Sequence, residues 1–216
     1  LFRSSPLPLQ MILLRSIDHL ALMNPVPEIV MIDIPIGLPN LGQRRCDAEA
    51  RKLLGPRRSS IFPAPLRPVL SARSWKEACD VRQQIDGQKM SLQAWNITHK
   101  VREVDALLQA KLPFQTILHE THPELAFAVW AGEPLAHSKK SADGRAERAK
   151  LVSAYFGEEQ FQSVRQKFRR SEVADDDILD AFAALWSAER LAGKKALLLP
   201  REVEKDDTGV VMQIII

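Results

Sequence analysis

Residues 28–32, Glu-Ile-Val-Met-Ile, form an apolar run without alternation, and Asp33-Ile-Pro35-Ile-Gly37-Leu-Pro39 closes it at once. So short and β-branched a run with no polar face predicts a strand covered on both sides, as strands of parallel α/β sheets are. Two apolar faces need helices over both, so the fold class is expected to be α/β. The run ends on a single acid, Asp33. Open α/β sheets place their ligands at the carboxyl ends of strands, where that carboxylate would stand. An aspartate here equally suits the cap of the Pro-Ile-Gly turn, and both readings stay open.

Elsewhere the periodicity is helical. Residues 7–23 place Leu9, Leu13, Ile17, Leu20 and Ala21 near helical spacing, and Asn24-Pro25 ends the pattern. Further helices are expected over 42–54, 74–85, from Ser91 with Ala94, Ile97, Val101, Val104 and Leu108 on one face, from Pro123, over 145–156 and 158–170, and about 176–192. Strands are expected over 114–118, leading into His119-Glu120-Thr-His122, and over 196–199 and 210–216. Residues 57–68 are proline-rich and aperiodic, a long loop of a kind that is often functional.

The acids of the last helix decide the chemistry. Asp177, Ala181, Ala184 and Ala188 fall in one stripe with Asp180 beside it, and the three alanines would let the helix lie close on the sheet. Asp175 and Asp176 read as first-turn acids that cap free N–H groups. Asp180 lies among Leu179, Ala181 and Phe182, where an unpaired carboxylate is costly. Glu120, flanked by two histidines, stands near a second strand end. Acids converging there would repel one another without a cation, and hard oxygen donors suit Mg²⁺ or Mn²⁺. Two such ions about 4 Å apart stabilise both the attacking and leaving oxygens of a phosphoryl displacement. The expected chemistry is phosphodiester hydrolysis.

Six blocks, in order, resemble a known family: Ile32-Asp33-Ile-Pro35-Ile-Gly37-Leu-Pro39; Arg45-Cys46-Asp47 with Ala50-Arg51; Arg58-Ser59-Ser60-Ile-Phe62-Pro63; Glu120-Thr-His122-Pro123-Glu124; Ser138-Lys139-Lys140; and Asp177-Ile-Leu-Asp180-Ala181. They are similar to the signature blocks of domain-of-unknown-function family 429, described as predicted RNase H-like nucleases. The resemblance runs from about residue 28 to the C-terminus. It implies an RNase H-like mixed sheet flanked by helices, with three leading antiparallel strands and acids on the first and fourth strands and the last helix. On that mapping Asp33 ends the fourth strand, Glu120 the fifth, and Asp177 or Asp180 is the helical acid. No first-strand acid precedes Glu28, and the chain opens at Leu1 without an initiator Met. The expectation is a single domain over 1–216 that lacks its N-terminal strands.

The sequence reading is therefore a divalent-metal-dependent nuclease. Asp33, Glu120 and Asp180 would be catalytic; the same three with Asp177 would hold Mg²⁺ or Mn²⁺; Arg57, Arg58, Ser59, His122, Lys139 and Lys140 would bind nucleic acid. A net charge of +3 permits a polyanionic partner. The alternative keeps the fold as a non-catalytic nucleic-acid-binding or regulatory module. A third possibility, an enzyme of small phosphorylated or nucleotide substrates, is disfavoured by the lack of a Gly-rich phosphate loop. Cys46 and Cys79 lie far apart, and no apolar run approaches a membrane span, so a reduced cytoplasmic setting is expected.

Overall fold

A computed structural model describes residues 9–216 as an α/β protein with a small mixed sheet flanked by helices. The helix expected over 7–23 reduces to a 3-10 helix at Ile17–Leu22, capped by Ser16, whose Oγ accepts from the Asp18 N–H at 3.3 Å. Residues 7 and 8 lie outside the described residues. Short helices depend on a packed face, and Ile12, Leu13 and Leu14 are all exposed.

The first expected strand is β1 (Val30–Ile32). After it come α1 (Arg45–Leu54), α2 (Trp75–Asp86), α3 (Leu92–Ala110) and α4 (Phe114–Ile117), then β2 (Leu118–Glu120). The second strand thus starts four residues later than its apolar run predicts. Pro113 has helical φ, and the Thr116 hydroxyl donates to the Pro113 carbonyl at 2.8 Å, so a local turn displaces the extended form. The remaining elements are α5 (Pro123–Ala131), α6 (Ala142–Phe156), α7 (Glu158–Lys167), α8 (Asp175–Ala192), β3 (Leu198–Leu199) and β4 (Ile214–Ile215). The strand expected over 210–216 is only β4 plus an isolated bridge between Lys205 and Val211.

Sheet order is β1-β2-β4-β3, with β1, β2 and β4 parallel and β3 antiparallel to β4. Among the described residues no strand precedes β1, so the three leading antiparallel strands implied by the resemblance are not among them. Helices cover both faces, which explains why β1 has no polar side. Val30, Ile32 and Leu118 join α3 residues Val101, Val104 and Leu108 in one apolar cluster. In a second cluster, α5, α6 and α8 close around stacked Trp130 and Trp186, 4.9 Å apart.

The chain after Asp33 is held tightly. Gly37 takes φ +72°, and a Cβ there would stand 2.8 Å from the Val211 carbonyl oxygen, so only glycine fits. The Leu38 N–H donates to Asp206 Oδ2 at 2.9 Å, and Arg67 bridges that same carboxylate to Asp105 of α3.

α8 departs from the alanine-stripe reading. Ala181 is exposed, whereas Leu179, Ala183 and Ser187 are buried, and the Thr121 hydroxyl just beyond β2 meets the Ser187 hydroxyl at 3.3 Å. The small residues that let the helix approach the sheet are Ala183 and Ser187. Asp180 is three and seven residues before them, on the same side of the helix.

Candidate active-site cleft

A cleft of about 380 Å³ opens at the carboxyl ends of β1 and β2. Asp33, Arg57, Ser60, His122 and Lys139 are among its lining residues. Asp33 follows β1 directly. Its carboxylate is solvent-accessible, yet the cleft walls crowd it and push its pKa above the usual value, against the pull of His122, Lys139 and Lys100. Among the described residues no hydrogen bond or ion pair engages that side chain.

Asp180 of α8 is tied to the cleft through Lys139, whose Nζ lies 2.6 Å from its Oδ2. Burial raises the Asp180 carboxyl, Lys139 opposes, and the charges of Asp33 and Asp176 raise it further. Lys139 shows the mirror image: burial would lower it, but Asp180, Asp33 and Asp176 together hold it above its usual value. One ammonium of the cleft therefore pairs with Asp180 and adds its field at Asp33, from distant segments. Lys140 makes a parallel bridge to Asp176 at 2.5 Å.

The Ser138–Lys140 strap that carries both lysines lies against the start of α6. A Cβ on Gly144 would come within 2.0 Å of the Ser138 carbonyl oxygen. Gly144→Ala is expected to lower stability by about 1–3 kcal/mol, the usual cost of overpacking a closed site, read as the shift in urea midpoint. An unchanged midpoint would mean that the strap adapts freely.

Glu120 is placed differently from Asp33. It stands in register with Ile32, one residue short of Asp33. Its two oxygens accept from Arg44 Nη1 at 2.6 Å and Nη2 at 2.9 Å, and Oε2 also accepts the Ile36 N–H at 2.7 Å. Arg44, 1% exposed, binds Asp47 through Nε and Nη2 as well, and Asp47 accepts the Ala64 N–H. Burial pushes the Glu120 carboxyl up, while the two-pronged Arg44 contact favours the carboxylate. Burial alone would lower Arg44, but Glu120 and Asp47 outweigh it and hold the guanidinium charged. This buried triad ties the end of β2 to the loops before and after α1 and forms part of the cleft floor.

Asp177, expected among the metal ligands, caps its own helix, its Oδ2 accepting the Ala174 N–H at 3.1 Å. Asp175 pairs with Arg165, and Asp176 with Lys140. Arg57 is half-buried and faces the cleft, its Nε donating to Glu124 Oε1 at 3.0 Å; Glu124 Oε2 accepts from buried Arg148 at 2.6 Å. Arg58 and Ser59 are exposed outside the cleft wall, where Ser60 takes the place expected for Ser59. His122 directs Nε2 at the Ser60 carbonyl, 3.3 Å away, and its buried Nδ1 has no partner among the described residues.

Sequence reasoning did not single out Arg44, the Glu124–Arg148 pair or Phe62 as site residues. The spacing of Arg44 and Asp47, three apart at a helix start, was the one available signal for the first. For the second, Arg148 lies amid charged residues that read as a solvated face.

Among the described residues no group of three or more His, Cys, Asp or Glu side chains is arranged to hold a metal ion. Among them, too, no helix is long and apolar enough to cross a membrane. A family model described as "Protein of unknown function (DUF429)" matches residues 9–205, and the chain belongs to that family. No curated protein and no solved structure matches.

Proposed function

We propose that this DUF429 member is a divalent-metal-dependent phosphodiesterase acting on nucleic acid, on an RNase H-like core, in which Asp33 and Asp180 hold the Mg²⁺ or Mn²⁺. One observation carries the reading: Lys139, in a cleft at strand ends that Asp33 lines, pairs with Asp180 of α8 and also acts electrostatically on Asp33, so carboxylates from two distant segments meet one counter-charge. That donor set suits one hard cation. Mg²⁺ is commonly bound by only one or two carboxylates, with waters and substrate phosphates completing its shell. Glu120 does not fit as a direct ligand, since Arg44 and the Ile36 N–H occupy its oxygens. Its part is to hold the floor on which Asp33 stands.

When bound, the ion would polarise a phosphoryl oxygen and acidify a water. The chain's own residues do the rest. Arg57, oriented by Glu124, presents a guanidinium suited to a phosphate, and Lys139 and Lys140 add positive charge on the strap. His122 fastens the Ser60 turn to the end of β2 and adds a favourable field at Asp33.

A second reading has its own observation. Lys139 already neutralises Asp180, so the cleft can bind a polyanion with no cation, as a non-catalytic module would. Calorimetric titration of Mn²⁺ separates the two. The enzyme reading expects the wild type to bind at least one ion and Asp180→Asn to lose most of that affinity. A wild type that binds none, even with a short oligonucleotide present, sinks it in favour of the binding module.

A further inference from the structure

The cleft carries an apolar feature that the metal chemistry does not use. Phe62 lines it and is 45% exposed, the one exposed phenylalanine among the described residues. Its backbone is fixed on both sides. The Ile61 side chain is buried and its carbonyl accepts from Arg51 at 2.6 Å, while the Ala64 N–H is held by Asp47. Pro63 and Pro65 stiffen the segment further. The ring is thus presented to the cleft by anchored backbone. Ile34, Pro35 and Ile97 line the same space, so an apolar lining adjoins the cations Arg57, Lys139 and Lys140.

A nucleotide has that division: a flat apolar base beside an anionic phosphate. The volume is at the small end of ligand pockets and suits one nucleotide unit rather than a duplex. A base can offer its face to an aromatic ring only when it is unpaired and unstacked. We infer that Phe62 is a stacking platform for an unpaired base next to the phosphate held by Arg57 and Lys139, so that the ligand is single-stranded nucleic acid. The phosphate's being the scissile one rests on the phosphodiesterase reading; the stacking site does not.

The test is fluorescence anisotropy with a labelled single-stranded oligonucleotide carrying hydrolysis-resistant phosphorothioate linkages. Phe62→Ala is expected to weaken binding about 5- to 150-fold, as loss of one stacked base does, and Phe62→Trp to retain it. A duplex of the same sequence should bind less tightly, and a mononucleotide should compete only at much higher concentration. Equal binding by Phe62→Ala, equal binding of the duplex, or no binding by the wild type each overturns the inference. Equal competition by the mononucleotide overturns it in favour of a free nucleotide. Because Phe62 is exposed and carries none of the oxygens proposed to hold the ion, Phe62→Ala should leave the melting temperature and Mn²⁺ affinity unchanged. If Mn²⁺ binding fails but Phe62→Ala still weakens the oligonucleotide, the enzyme reading falls and the stacking site stands. The reverse pattern sinks the stacking site alone.

Discussion

Arg44→Met is expected to destabilise the fold by about 3–5 kcal/mol, measured as the free energy of unfolding in urea, the cost of removing one partner from a buried ion pair. The expectation rests on how completely the guanidinium is used. Arg44 binds both oxygens of Glu120, both of Asp47 and the Ile36 carbonyl. Met keeps much of the volume but leaves two carboxylates beside each other in the interior, with the backbone N–H groups of Ile36 and Ala64 and the weak Cys46 thiol donor left to satisfy them. Adding Glu120→Gln should recover part of the loss, because one buried charge disappears with its partner. A single-variant loss below about 1 kcal/mol would show that water reaches the triad and that it is not a buried network.

If the protein is the proposed metal-dependent phosphodiesterase, Asp33→Asn is expected to lower phosphodiester hydrolysis at least about a hundredfold, since even partners that merely support a metal ligand cost 10- to 100-fold when changed. Its stability should move the other way. Asp33 and Asp180 both have carboxyl groups raised above the ordinary aspartate value of 3.8. An acid raised in the folded state contributes stability when protonated, and loses it as pH rises through the folded pKa. At neutral pH without a cation, Asp33 therefore counts against the fold, and Asp33→Asn should be at least as stable as the wild type. Cation binding needs the ionised forms, so Mn²⁺ affinity should fall as the pH drops toward those raised values, above the range of an ordinary aspartate. A variant that unfolds more readily at neutral pH and keeps its activity would mark Asp33 as a turn cap and nothing more.

The sequence alone determined much of the frame. A strand with no polar face implied helices on both sides of a sheet, and α3 and α8 supply them. The placements of Asp33 and Asp180 were legible for related reasons. One is the single acid at the end of an apolar strand, and the other sits inside a helix among residues that bury. Both signals are local, arising from propensity, periodicity and the cost of desolvating a charge within a few residues. Tertiary structure alone decided which charges meet. Glu120 looked equivalent to Asp33, but it stands in register with Ile32 and is captured by Arg44. Asp177 is only three residues from Asp180, yet it turns back to cap its helix while Asp180 reaches Lys139. Ser60 rather than Ser59 lines the cleft, and Ala183 and Ser187 rather than the alanine stripe face the sheet. The reason is common to all four. Coulomb energy and hydrogen bonding depend on distance in space, and no pattern along the chain encodes the separation between residues that only folding brings together.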